Sequence, residues 1–127
     1  MSNEIIATTN SAYICTVNAD TDEGKIAIMT ALNGAESLKN HINEVIELSG
    51  IITMEGVRSQ SGEVCTNNYL LAADGKAYFS QSFGVTRSLM VINQLWGAKF
   101  ADGGTVNVKC VQQNLGNGHT LNTIVPA

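Results

Sequence analysis

From residue 45 onward the apolar positions change period, and the changes mark out the elements. VIELSGIITMEGVR, residues 45–58, alternates as a half-buried strand does. Its pattern puts Ile46, Leu48, Ile52 and Met54 on one face and leaves Gly50 for a bend or bulge. EVCTNNYLLAA and KAYFSQS read as the next two strands. Asp74-Gly75 joins them, a two-residue hairpin signal because the type I′ turn needs φ > 0 at both positions. Then Val85, Leu89, Ile92 and Trp96 recur at spacings of four, three and four, one stripe of a helix. Ser82 can cap its start and Gly97 can stop it. TVNVKCVQQ and HTLNTIV read as two closing strands joined by the Asn-Gly turn in NLGNG.

Ahead of residue 45, AYICTV and KIAIMTAL flank the polar NADTDEG and read as a β-hairpin. GAESLKNH reads as a loop or a short helix. The order strand, strand, strand, helix, strand, strand, with a long glycine-bent first strand, matches the OB-fold, a small partly open Greek-key barrel. The expected architecture is mainly β in one domain, 1–127. An OB-like five-stranded barrel fills 45–127, with one helix between strands 3 and 4, and 1–44 forms an N-terminal hairpin extension.

The turn at Asp74-Gly75 sets which side chains share a face. A two-residue loop pairs Ala72 with Ala77, Leu71 with Tyr78, Leu70 with Phe79 and Tyr69 with Ser80. One face then carries Val64, Leu70, Ala72, Ala77 and Phe79, without a charge, and is the better core. The other carries Tyr69, Leu71, Lys76, Tyr78, Ser80 and Ser82. On this register Phe79 points in and Tyr78 points out, beside Tyr69 and Lys76. Two tyrosines and a lysine on an open sheet suit a single-stranded nucleic acid: bases stack on the rings and the ammonium meets phosphate. The competing reading is that the N-terminal hairpin covers this face and makes both tyrosines core residues.

The loops extend the candidate interface. In an OB-fold the loop after the first strand and the loop between the last two flank the binding face. Here they carry Arg58, in EGVRSQSGE, and His119, beside NLGNG. In TVNVKCVQQ the alternation sends Val106, Val108 and Cys110 inward and Asn107 and Lys109 outward. The candidate nucleic-acid-binding residues are therefore Arg58, Tyr69, Lys76, Tyr78, Lys109 and His119.

Composition narrows the function class. The chain has 127 residues, 44% apolar and 14% charged, which suits a globular domain with a real core. The net charge of −4 seats its acidic excess in residues 1–44, with six acids and two bases; residues 45–127 balance five of each. A local basic face is compatible with that distribution. Neither a membrane span nor a signal-peptide pattern is visible, so a soluble cytoplasmic protein is expected. Cys15, Cys65 and Cys110 are dispersed and odd in number, as expected of reduced thiols. NADTDEG superficially has calcium-loop spacing, but Glu23 stands where the loop needs glycine and Met29 where it needs glutamate. No metal, cofactor or catalytic motif is expected, and the chain is not expected to be an enzyme.

GKIAIMTALN, SLKN, NYLLAADGKAYFSQS, a helix and TVNVKCVQ together resemble the small single-stranded-DNA-binding proteins of bacteriophages with protein-primed replication. The likeness runs along most of the chain and is strongest at the AADG hairpin and the tyrosine that follows, Tyr78. The resemblance implies an OB-type barrel that coats and protects displaced single strands during phage DNA replication. It also implies single-stranded DNA and replication enzymes such as a DNA polymerase as partners, in the host cytoplasm. The alternative is a phage structural or adaptor module that uses the barrel for protein contacts.

Overall fold

A computed structural model describes residues 14–127 of the chain. The strands are β1 (Ile14–Cys15), β2 (Glu36–Ser37), β3 (Val45–Val57), β4 (Val64–Ala72), β5 (Ala77–Ser80), β6 (Val106–Gly116) and β7 (His119–Pro126). The helices are α1 (Asp22–Gly34) and α2 (Phe83–Ala101), with a 3₁₀ turn at Leu38–His41. From residue 45 the order of elements is the one the periodicity predicts. The expected N-terminal hairpin is not formed by the described residues: its second arm, KIAIMTAL, is helical, and the part of its first arm before Ile14 lies outside them. Thr21 accepts a hydrogen bond from the Gly24 N–H (3.0 Å) and Asp22 and Glu23 fill the first turn of α1. A capping oxygen and two acids at the positive end of the helix dipole favour that start.

The sheet runs β2-β5-β4-β3-β6-β7, with β1 also on β3. β3 is the spine. One edge pairs with β4 from Leu48 to Val57, and the other pairs first with β6 (Val45–Leu48) and then with β1 (Ile52, Thr53). The register with β4 slips between Leu48 and Gly50, so the strand bends at a bulge. This is a curled, open half-barrel of seven strands among the described residues, rather than five, and its long helix follows β5. The arrangement fits a partly open OB barrel. The gap between β5 and β7 is spanned by α2 through side chains. Ser82 Oγ donates to the Asn122 carbonyl (3.3 Å), and the Ile124 N–H donates to Ser88 Oγ (3.1 Å). Hydroxyls of the helix and of the residue that precedes it thus engage a sheet edge that would otherwise be open to pairing with another chain.

The inner face of the half-barrel holds the main core. Ile46, Leu48, Ile51, Leu70, Val108, Cys110 and Ile124 pack against Val85, Leu89, Ile92 and Phe100 of α2. The predicted stripe Val85, Leu89, Ile92 is buried, with Trp96 partly so. Val108 and Cys110 point inward as the alternation predicts, and burial pushes the Cys110 thiol up to about 11. The bulge corrects the reading of β3. It flips the parity of the strand, so Ile46 and Leu48 share the inner face with Ile51, while Ile52 and Met54 fall on the outer face.

Tyr78 also belongs to the inner core, at 7% exposure. Beside it the 3₁₀ turn brings in His41, whose ring meets Tyr78 edge-on at 4.9 Å. The two imidazole nitrogens each lie 3.1 Å from a carboxylate oxygen, Nε2 from Glu36 and Nδ1 from Glu44. The Glu44 hydrogen bond, with Glu36 behind it, raises the His41 pKa above the ordinary histidine value despite partial desolvation. A raised folded-state pKa gives stability that is fully present below about pH 6.5, the unfolded value, and is lost as pH rises through the folded value. His41→Gln should therefore cost most at mildly acidic pH and progressively less as pH rises. Urea melts across that range check it, and a cost that grows with pH would contradict it.

Candidate nucleic-acid interface

The hairpin turn decides which rings face out, and it is not the two-residue turn that Asp74-Gly75 suggests. Of the pair only Gly75 has a positive φ, +91°. The Gly75 N–H donates to the Ala72 carbonyl (3.1 Å) and the Ala72 N–H to the Lys76 carbonyl (2.8 Å). Asp74 Oδ1 accepts from the Lys76 N–H (2.9 Å). That is a three-residue loop, a type I turn closed by a left-handed glycine. The register moves by one: Leu71 pairs with Ala77, Leu70 with Tyr78, Tyr69 with Phe79 and Asn68 with Ser80. A one-residue slip exchanges the faces of β5 relative to the expectation. Tyr78 goes into the core and Phe79 comes out.

Tyr69 stays on the outer face, now beside Phe79, with ring centroids 5.2 Å apart and planes tilted by 49°. Ile52 is the cross-strand partner of Tyr69 on the β3 side. α1 covers one end of this face through Ile28, Ala31 and Leu32, so the covered-face reading holds in part, with a helix as the cover. Tyr69 is buried to 8% exposure and burial raises its phenol pKa, whereas Phe79 is only half-buried.

Beyond Phe79 the strip turns polar. Gln81 Nε2 donates to Asn67 Oδ1 (2.8 Å), forming an amide rung across β4 and the end of β5. The Asn67 side chain lies over Gly56, where any Cβ would stand 2.2 Å from its oxygen. Gly56 is thus the slot that lets the rung lie flat on the sheet. At the end of the strip Arg58 Nη2 donates to the Gln81 carbonyl (3.2 Å), which fixes the guanidinium at the corner where β5 leads into α2.

Of the six sequence candidates, Tyr69 and Arg58 are brought to this strip, and Lys76 is exposed on the hairpin at its other end. Tyr78 lies behind it. Lys109 faces outward as expected but pairs with Val45, seven residues along β3 from Ile52 and across the bulge. His119 is exposed at the tip of the β6–β7 hairpin, whose Asn117-Gly118 turn has both φ angles positive (54° and 77°), as predicted. Sequence reasoning missed Phe79 because the register was off by one. It missed Asn67 and Gln81 because amides on strands carry no distinguishing pattern.

An outward aromatic pair, an amide rung and a tethered arginine on an open sheet can hold unpaired bases and a phosphate. Residues 7–124 match the family described as Phage Single-stranded DNA-binding protein. The chain belongs to that family. No curated protein and no solved structure gives a significant match. As a phage single-stranded-DNA-binding protein the chain has single-stranded DNA as its ligand. The inner face is filled by α2 and the core. The outer face of β3–β4–β5 is partly open, and there Phe79 stands half-exposed beside the buried Tyr69. No helix among the described residues is long and apolar enough to cross a membrane.

Proposed function

We propose that this phage single-stranded-DNA-binding protein coats strands displaced during phage DNA replication, protecting them and removing their secondary structure. In this reading the strand crosses the outer face of β3–β4–β5. A base stacks on Phe79, Tyr69 supports that ring from beside it, and Arg58 and Lys76 meet phosphates at the two ends. The observation that carries the reading is the half-exposed Phe79 ring, set against Tyr69 where the apolar outer cluster gives way to the polar Asn67–Gln81 rung. Lys109 and His119 would meet DNA only where the strand continues past this strip. Replication enzymes such as a DNA polymerase are the partners the role implies.

Binding should tolerate any sequence, because every base has a face to stack. Duplex should bind much more weakly, since stacked and paired bases cannot reach the ring. The test is titration with oligo-dT, followed by intrinsic fluorescence and by band shift, with duplex as competitor. Absence of both quenching and shift would favour the structural or adaptor alternative.

Salt dependence should be shallow. Each neutralised single-strand phosphate contributes about −0.7 to the slope of log K against log salt, and two or three cations lie within reach, so a slope of about −1.5 to −2 is expected. A slope steeper than about −5 would place most of the phosphate contacts elsewhere.

A further inference from the structure

The charge of the chain is more polarised than its net value indicates. Residues 75–127 carry four bases, Lys76, Arg87, Lys99 and Lys109, against a single acid, Asp102. α2, β6 and β7 contain no acid at all. At the start of α2 stands a phenylalanine that the core does not use. Phe83 is 66% exposed. The Arg87 guanidinium, one helical turn on, sits over its ring at 5.9 Å from the centroid. Among the described residues no carboxylate pairs with Arg87. Beside the pair runs a groove of about 330 Å³ between α2 and the β6–β7 strands, lined by Arg87, Ser88, Val91, Gln113, Leu121 and Thr123.

A lone exposed phenylalanine is unremarkable. An exposed ring under an unpaired guanidinium, next to a groove of mixed hydroxyl, amide and apolar walls, is the combination that single strands use for stacking and phosphate contact. The position matters as much as the chemistry. Phe83 follows Phe79 by four residues, a span of at most about 14 Å of chain. Between them Gln81 anchors Arg58. Two rings and two arginines therefore lie along one short turn of chain, from the outer face of β5 onto the outer side of α2.

We propose that Phe83 and Arg87 form a second nucleobase station. On this proposal the single strand leaves the sheet at Arg58, rounds the β5–α2 corner, stacks a base on the Phe83–Arg87 pair and enters the α2–β7 groove. The inference rests on the reading of the Phe79 face as the first station. It assigns the base-rich stretch after residue 75 to the later part of the DNA path.

The experiment compares wild type, Phe79→Leu, Phe83→Leu and Arg87→Ala in oligo-dT titrations, with a thermal melt on each. Leucine keeps apolar bulk and removes only the ring. Because Phe83 is exposed, Phe83→Leu should melt as wild type does and bind about 5-fold to 100-fold more weakly. Arg87→Ala should weaken binding and also flatten the salt slope by about 0.7. The double variant Phe79→Leu/Phe83→Leu should lose the product of the two single factors, as expected for separate stations. Wild-type affinity in Phe83→Leu, with Phe79→Leu weakened, would overturn the second station and leave the first standing. Wild type failing to bind oligo-dT would overturn both.

Discussion

Replacing Tyr78 by alanine should strip the fold of about 3–5 kcal/mol of stability, the cost of emptying a large aromatic site in a packed core. In a domain of this size that is a fall of about 10–20 °C in melting temperature, enough to leave much of the chain unfolded near physiological temperature. Tyr78 is packed with Leu70, its cross-strand partner, and is capped by the His41 ring. The void would open at the junction of β5 with the 3₁₀ turn, where β2 adds only two residues of pairing. Tyr78→Phe keeps the ring and should cost far less. A thermal melt on each variant decides it. A Tyr78→Ala protein that melts normally would mean that Tyr78 is a surface residue, as a two-residue turn would make it.

Replacing Phe79 by leucine should act on binding instead. The loss of one base stack weakens oligo-dT by about 1–3 kcal/mol, roughly 5-fold to 150-fold. Phe79 is half-buried in the smaller outer cluster with Ile52, Tyr69 and Ala77, so leucine should leave stability within about 1–2 kcal/mol of wild type. The pair of variants therefore separates folding from binding across two adjacent residues. If Phe79→Leu binds as wild type does, the outer strip is not where bases stack.

The contrast between two Gly-containing turns explains how much of this was legible in the sequence. Asn117-Gly118 and Asp74-Gly75 look alike on paper. The first forms the two-residue turn, with both residues at positive φ. The second uses only its glycine that way, because the Asp74 carboxylate is engaged by the Lys76 N–H and a type I turn precedes it. No local signal distinguishes the two, yet the difference moves every side chain of β5 to the opposite face. Gly50 was readable as a bulge, but the consequence of a bulge is a change of parity beyond it, which moved Ile52 and Met54 outward. The helical stripe of α2 was legible because Val85, Leu89 and Ile92 repeat over several turns. α1 was not, although Thr21, Asp22 and Glu23 are a helix-start signal. Eight mostly apolar residues, KIAIMTAL, read equally well as a strand.

The most direct test of the outer-face site is to photo-crosslink wild-type protein to an oligo-dT carrying halogenated uracils and to map the attachment by peptide mass spectrometry. Crosslinks at Phe79 or Tyr69 are the expected result. Crosslinks confined to positions away from the β3–β4–β5 outer face, with none on either ring, would contradict it.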